Sequence, residues 1–296
     1  MGVFRHDIPP KSPQIPRLFL KLLEITANMK RILFITNGET PNIKCLDFAC
    51  FLAEMNSASL TGVLVDNSDL EVVPSGNGNG KHAPATRMSM SETAKIFKEH
   101  CIKKAIPFSI FKVNGDPGPE IVNESRYSDI VVMDPAVSAY AGEEAPSALL
   151  KEIVANVECP VIVSPDNFEK VEEIIFCFDG SESSIYAMKK FTYLLPQLKD
   201  LKVCLLEVNH SSKEGFSGEH KKMTDWLVAH YDTIMNIELK GDVRKELLTY
   251  LTAQKNRIVV MGAYGRSQLS QFFRRSTADV LIRDVDLPFF ITHYRA

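Results

Sequence analysis

The sequence predicts an α/β protein built from two copies of one unit, each a parallel sheet with helices on both faces. Three observations support this fold class. Short continuous apolar runs alternate with helical stretches after Met29, as expected for buried parallel strands. A series of five such strands occurs twice. The copies also align: IVVM at 130–133 recurs as IVVM at 258–261, and CPVIV at 159–163 matches LPFFI at 287–291, both at an offset of 128 (258 − 130 and 287 − 159).

The elements follow from apolar runs separated by glycine, proline and polar residues. In the first copy the predicted strands are 32–36, 60–65, 108–113, 130–133 and 161–163. The helices between them are predicted at 42–55, 91–105, 120–126 and 147–156. In the second copy the predicted strands are 174–178, 203–208, 234–239, 258–261 and 289–292.

Length and composition agree with two ordinary globular domains. The chain has 296 residues, 45% hydrophobic and 24% charged, which is enough for two cores at about 150 residues each. The first domain is predicted at 29–166 and the second at 170–296, with the proline-rich segment 1–28 outside the fold. A net charge of −3 argues against nucleic-acid binding. No apolar run of about eighteen residues predicts a membrane span.

The six cysteines form no CxxC pair and mostly lie in apolar runs. They are predicted to be small buried side chains in a reducing cytoplasm, rather than metal ligands or disulfides. The seven histidines show no HExxH motif and no zinc-ligand spacing with the cysteines. The sequence therefore predicts no metal site.

Polar residues follow two strands of the second copy. Its first strand ends in Asp179-Gly180-Ser181, and its fourth strand leads into Gly262-Ala263-Tyr264-Gly265. In open parallel sheets, ligands bind beyond the carboxyl ends of the strands, where the strand order reverses. The sequence therefore predicts that any binding site lies at these strand ends.

An aspartate closing the first strand, with Gly-x2-Gly-x9-(Gly)-Ser/Thr after the fourth, resembles the universal stress protein family, whose tandem forms carry two such domains. The resemblance covers Met29 to the C-terminus. It implies a five-stranded sheet in the order 3-2-1-4-5 in each domain (the adenine nucleotide alpha hydrolase-like fold). It also implies ATP, with Mg²⁺ where the nucleotide brings it, between strands one and four. In that site Asp179 would meet the adenosine, the backbone near Val208 the adenine, Gly262 and Gly265 the ribose and phosphates, and Ser276 with Thr277 the phosphate oxygens.

The second copy departs from this pattern at Arg275, where nucleotide-binding members have glycine. A side chain there could block the pocket, or its guanidinium could bind phosphate together with Arg266 and Arg274. Each site residue also has a structural interpretation. Asp179 could cap the next helix, Ser276 and Asp279 could form a capping box, and the two glycines could only shape the strand exit.

The first copy has lost the pattern. Asn37 stands in the aspartate's place, and Asp134-Pro135 begins the loop that carries both glycines in the second copy. That loop holds Asp134, Glu143 and Glu144 without a lysine or arginine, so we expect no nucleotide there. Residues 75–82 (SGNGNGKH) nearly spell a phosphate-binding P-loop, but the required first glycine is a serine and the final Ser/Thr a histidine. A flexible loop is predicted instead.

No GxSxG elbow, paired carboxylates or metal motif names a catalytic residue, so at most weak ATP hydrolysis is expected. The leading hypothesis is a tandem universal stress protein, acting as a stress-response regulatory module with at most one ATP site, in the second domain. The alternative is a nucleotide-free scaffold that uses the fold for dimerisation and interaction. The resemblance also implies an intramolecular pseudo-dimer that pairs 161–163 with 289–291, with a further homodimer left open.

Overall fold

The computed structural model describes residues 29–66, 88–113, 116–135, 137, 146–209, 218–263 and 275–293. In these ranges the strands are β1 (Arg31–Asn37), β2 (Ser59–Val65), β3 (Phe108–Val113), β4 (Ile130–Met133), β5 (Val161–Val163), β6 (Glu173–Phe178), β7 (Lys202–Asn209), β8 (Ile234–Lys240), β9 (Arg257–Ala263) and β10 (Phe289–His293). The α-helices are α1 (Ile43–Asn56), α2 (Met90–Lys103), α3 (Pro117–Ser125), α4 (Ala148–Asn156), α5 (Glu182–Leu194), α6 (Gly218–Val228), α7 (Val243–Thr252) and α8 (Arg275–Asp284). The predicted segment 1–28 and the P-loop-like residues 75–82 lie outside the described ranges.

All ten strands form one sheet in the order β3-β2-β1-β4-β5-β10-β9-β6-β7-β8. The first five strands are parallel to one another, and so are the last five. The predicted α/β fold class is confirmed. Within each half the strands run in the order 3-2-1-4-5 when numbered along the chain. The halves meet through antiparallel pairing of β5 with β10, with Ile162 opposite Phe290. The strands of the two halves therefore run in opposite directions, and their carboxyl ends lie on opposite rims of the sheet.

The strand bounds match the predictions closely because the strands are buried apolar runs. Strands β3, β4 and β5 have the predicted ends, and the other strands differ by one or two residues. Helix α3 begins earlier than predicted, at Pro117, because Asp116 caps it by accepting the Gly118 N–H at 3.2 Å. Asp242 caps α7 in the corresponding position, accepting the Lys245 N–H at 2.9 Å. The two halves thus share an aspartate N-cap at the start of α3 and of α7, in addition to the repeated sequence.

Each face of the sheet carries a core that runs across both halves. On one face the strands pack against α1, α2, α5 and α6, through residues such as Phe34, Phe97, Phe176 and Phe191. On the other face they pack against α3, α4, α7 and α8, through residues such as Ile153 and Leu247. We call these the first and second faces. Both faces of every central strand are buried, which is why the strands read as unbroken apolar runs.

The connection between the halves is fixed at both ends. The Asp286 carboxylate accepts the Asp166 N–H at 2.7 Å, and the Asn167 N–H at 3.2 Å. Phe168 packs edge-on against Phe48 of α1, with ring centroids 4.9 Å apart. The linker therefore contacts both the first half and the loop before β10.

All six cysteines are free, and five of them are buried. Burial raises the pKa of the Cys204 thiol to about 11 and that of Cys159 to about 12. These two thiols therefore stay protonated near neutral pH. In the part of the chain that the structure describes, no helix is both long and apolar enough to cross a membrane.

Candidate functional site

The predicted site lies where the strand order of the second half reverses, between the carboxyl ends of β6 and β9. These strands are parallel neighbours, with Phe176 opposite Val260. The pairing ends there, and both chains continue in the same direction, to Asp179 after β6 and to Ala263 at the end of β9. Asp179 and the start of the loop after β9 are therefore on the same rim of the sheet. Gly265, Arg266 and Arg274 fall outside the described residues.

Asp179 shapes the turn between β6 and α5 and does not cap the helix. Its carboxylate accepts the Ser181 N–H at 3.0 Å. Ser181 is the N-cap, because its hydroxyl accepts the Ser184 N–H at 3.1 Å. Gly180, between them, has φ +74°, a left-handed conformation that glycine adopts without strain. The partly exposed Asp179 carboxylate thus stands at the mouth of the crevice.

Gly262 is required by packing within the protein. A Cβ at this position would lie 2.3 Å from the carbonyl carbon of Ser183 and 2.6 Å from the Ser184 nitrogen. These are backbone atoms in the first turn of α5, so the helix start approaches the end of β9 more closely than any side chain permits. The glycine signal at 262 therefore has a structural explanation that does not involve a ligand.

The remaining predicted site residues lie around the same rim. Val208 is buried, one residue before the end of β7. Arg275 and Ser276 are the first two residues of α8, so Ser276 is inside the helix and not at its N-cap. Thr277 is buried in the first turn of that helix. Asp279 lies 3.4 Å from the Lys151 ammonium, an ion pair between the two halves.

The corresponding crevice of the first half is closed by the protein itself. Asn37 accepts the Glu39 and Thr40 N–H groups at 2.8 and 3.0 Å, as Asp179 accepts the Ser181 N–H, but Gly38 does not share the left-handed φ of Gly180. The next residue, Gly38, donates its N–H to the Val65 carbonyl at 2.9 Å. Val65 holds the place in β2 that Val208 holds in β7. The main-chain carbonyl at that place is thus already bonded in the first half.

The two equivalent glycines have opposite surroundings. A Cβ on Gly38 would lie 2.9 Å from the Val65 oxygen and 3.0 Å from Cγ of Met90 in α2. A Cβ on Gly180 would meet no described atom within 4 Å. The crevice at the end of the first strand is therefore filled in the first half and open in the second, as far as the described residues extend.

A second difference is at the end of the fourth strand. Asp134 holds the place of Gly262 and is buried, beside Thr36 of β1 in the β1–β4 register. Burial raises the pKa of the Cys45 thiol in α1, and the nearby Asp134 carboxylate raises it further. The first half thus has a buried acidic side chain at the position of Gly262.

Sequence analysis missed one buried polar group beside the site. A carboxylate oxygen of Glu207 in β7 lies 2.6 Å from Nδ1 of His220 in α6, and both side chains are at least nine-tenths buried. The His220 Nε2 is 3.1 Å from Oδ1 of Asn236 in β8. The Phe178 ring packs edge-on against the imidazole, with centroids 5.8 Å apart. The available signal was an acid inside an otherwise apolar strand, LLEV at 205–208.

No protein-family model and no curated protein matches the sequence. Solved structures do match. A universal stress protein from Archaeoglobus fulgidus DSM 4304 superposes with a TM-score of 0.63 at 14% identity, covering 89% of this chain and 98% of that one. A universal stress protein structure from Pseudomonas aeruginosa UCBPP-PA14 gives 0.58 at 10% identity, covering 90% and 93%.

A shorter universal stress protein from Archaeoglobus fulgidus, solved in complex with dAMP, covers 45% of this chain with a TM-score of 0.31 and 12% identity. The two longer structures match nearly the whole chain across both halves. The TM-scores of 0.63 and 0.58 establish the fold, whereas identities of 10–14% leave the binding properties open. The chain therefore has the fold of the universal stress proteins.

Proposed function

We propose that this chain is a tandem universal stress protein that acts as a stress-response regulatory module with one adenine-nucleotide site. Its domains would be residues 29–166 and 170–296, paired through β5 and β10 as an intramolecular pseudo-dimer. The site would lie in the second domain, at the ends of β6 and β9. The observation that carries the proposal is the contrast between Gly180, where a Cβ would meet no atom of the described residues within 4 Å, and Gly38, which is packed against Val65 and Met90.

In this site the Asp179 carboxylate would accept hydrogen bonds from the ribose hydroxyl groups. The main chain near Val208 would contact the adenine. In the first half the carbonyl at the equivalent position, that of Val65, already accepts the Gly38 N–H. Gly262 would act indirectly, by letting the start of α5 pack against β9. Arg275 is the first residue of α8, and in this proposal its guanidinium would bind phosphate in place of the family glycine.

The experiment is thermal melting with ATP, ADP and AMP, each with and without Mg²⁺. A ligand at about 100 times its Kd should add about 2.7 kcal/mol to the free energy of unfolding. Asp179→Ala should remove that shift. Asn37→Ala is the matched control, because it removes a similar turn-forming side chain from the closed crevice. Equal losses in both variants, or no shift with any nucleotide, would contradict the proposal.

Arg275→Gly separates the two roles of that residue. Loss of affinity is expected if the guanidinium binds phosphate, and a gain would mean that it obstructs the pocket.

The specific observation favouring the alternative, a nucleotide-free scaffold, is that Gly262 and the turn at Asp179 are both explained by contacts inside the protein. A scaffold would keep its melting temperature in every nucleotide, while disruption of β5–β10 pairing would still destabilise it.

A further inference from the structure

A basic groove lies at the outer edge of the first half, away from the crevices. It has a volume of about 490 Å³ and is lined by Ser91, Ala94, Lys95, Lys98, Ile110 and Lys112. One wall is the exposed side of α2, and the other is β3, the last strand at this end of the sheet. All three lysines are exposed. The groove therefore combines an open cationic surface with the aliphatic side chain of Ile110.

The groove lies beside unpaired backbone of an edge strand. Pro107 directs its carbonyl toward β2, where it accepts the Leu60 N–H at 2.9 Å. Because successive residues of a strand direct their backbone groups to opposite sides, Phe108, Ile110 and Lys112 direct theirs outward. Within the described ranges, β3 pairs with β2 alone. Three residues thus offer N–H and C=O groups to an added strand.

The charges around this edge are not balanced within the protein. Lys95 lies 3.9 Å from Glu99, but no described acid is paired with Lys98 or Lys112. The chain as a whole carries a net charge of −3, so the positive groove contrasts with the overall charge. At the opposite edge of the sheet, Glu238 of β8 holds the place of Lys112 and accepts a hydrogen bond from Asn209 at 2.9 Å. The fold itself therefore does not require lysine here.

The two faces of β3 further define the partner. Ile110 and Lys112 point to the first face, into the groove, whereas Phe111 points to the second face and is 38% exposed. A strand added beside β3 would place alternate side chains next to the lysines and the others next to Phe111. Acidic residues suit the first set and apolar residues the second.

From these observations we propose that the β3 edge and its basic groove bind an extended, acidic segment of a partner protein by strand addition, with acidic and apolar residues alternating. Main-chain hydrogen bonds to Phe108, Ile110 and Lys112 supply the affinity, and the lysines select for acidic side chains. This surface is independent of the proposed nucleotide site, which lies in the other half.

The test uses the full chain and a labelled, end-capped peptide of about seven residues that alternates valine and glutamate. Fluorescence anisotropy should show saturable binding that weakens as salt rises from about 50 to about 300 mM. Peptides with glutamine or lysine in place of glutamate should bind at least about ten-fold more weakly. A peptide of the same charge with N-methylated alternate amides should also lose about ten-fold, because it cannot pair with the strand edge.

Lys98→Glu combined with Lys112→Glu should weaken binding of the acidic peptide by at least about ten-fold. The matched control is Lys199→Glu with Lys255→Glu, two exposed lysines of the second half, which should change it by less than about two-fold. Unchanged melting temperatures verify that both variants fold. Three outcomes would overturn the proposal. The first is no binding, which would leave the lysines as protection against edge pairing. The second is equal binding of the N-methylated peptide. The third is tighter binding of polyphosphate than of the acidic peptide, lost in the double variant, which would make the groove a general anion site.

Discussion

The close approach of the start of α5 to the end of β9 gives the sharpest prediction, for Gly262→Ala. The added methyl group would lie 2.3 Å from the Ser183 carbonyl carbon and 2.5 Å from its oxygen. An ordinary contact between such atoms is about 3.5 Å, so the first turn of α5 or the end of β9 must move by roughly 1 Å. Neither can relax by rotating a side chain, since both partners are main chain.

The size of the effect follows from that overlap. Overpacking a rigid interior costs typically 1–3 kcal/mol, and the absence of any flexible neighbour places this substitution near the top of that range. We therefore expect Gly262→Ala to lower the free energy of unfolding by about 3 kcal/mol. For a chain of 296 residues that unfolds as one unit this corresponds to a fall in melting temperature of roughly 5 °C. The displaced helix start should also disturb the turn at Asp179.

Thermal and denaturant unfolding, followed by circular dichroism, measure this effect. Gly218→Ala, at the first residue of α6, is the control, because a Cβ there meets no described atom within 4 Å. It should stay within about 0.5 kcal/mol of the parent protein. Gly180→Ala should lose about 1 kcal/mol through its left-handed φ of +74° alone. If Gly262→Ala melted within about 1 °C of the parent protein, the close approach of α5 to β9 would be wrong.

Three further predictions concern buried and capping groups. Glu207→Ala should destabilise the protein by about 3 kcal/mol, since it leaves His220 buried without its carboxylate. The double variant Glu207→Leu with His220→Phe should recover most of this loss in denaturant melts. Additive losses from the two substitutions would argue against a coupled pair. At about pH 8 a thiol-specific disulfide reagent should label the native protein much more slowly than the unfolded protein, in which all six cysteines react, because five of the six side chains are buried and burial raises the pKa of Cys45, Cys159, Cys177 and Cys204. Hydrogen bonds from the Ser89 N–H and hydroxyl lower the pKa of Glu92, so its stabilising effect is present above the unfolded-state pKa and is lost as the pH falls through the folded-state value. Unfolding curves of the parent protein and of Glu92→Gln should therefore differ near neutral pH and converge in acid; a constant difference would contradict the capping role.

Much of the fold could be predicted because it depends on local patterns. The strands are buried on both faces, so each appears as an apolar run, and the repeat of IVVM at 130–133 and 258–261 places β4 and β9 in equivalent positions. The start of α3 was less predictable, since Pro117 reads as a helix breaker unless Asp116 is recognised as its cap. The prediction was therefore wrong at this helix start, where one side chain decides the boundary, and the other three predicted helix starts differ from the structure by one residue.

The candidate site was only partly predictable because its glycines serve contacts between distant segments. Gly262 reads as part of a phosphate-binding loop, yet the structure shows it packed against Ser183, 79 positions earlier (262 − 183). Asp134 reads as a charge that would repel phosphate, and the structure adds that it is buried at the same place in the sheet. Sequence spacing gives the position of such residues along the chain, but the atoms that they meet depend on the packing of α1 and α5.

The two crevices show how one fold can keep or lose a binding site through a few main-chain contacts. In the first half the Gly38 N–H bonds the Val65 carbonyl, and the Thr93 hydroxyl donates to the Gly38 carbonyl at 2.7 Å. Helix α2 is thereby held over the strand ends, and any ligand would have to break these bonds before forming its own. The first half is therefore better suited to supporting the second half, because its closed crevice keeps these hydrogen bonds when no ligand is present. Among the described residues of the second half nothing packs against Gly180 in the same way. Its crevice can therefore gain stability from a ligand, and this asymmetry predicts one nucleotide per chain and not two.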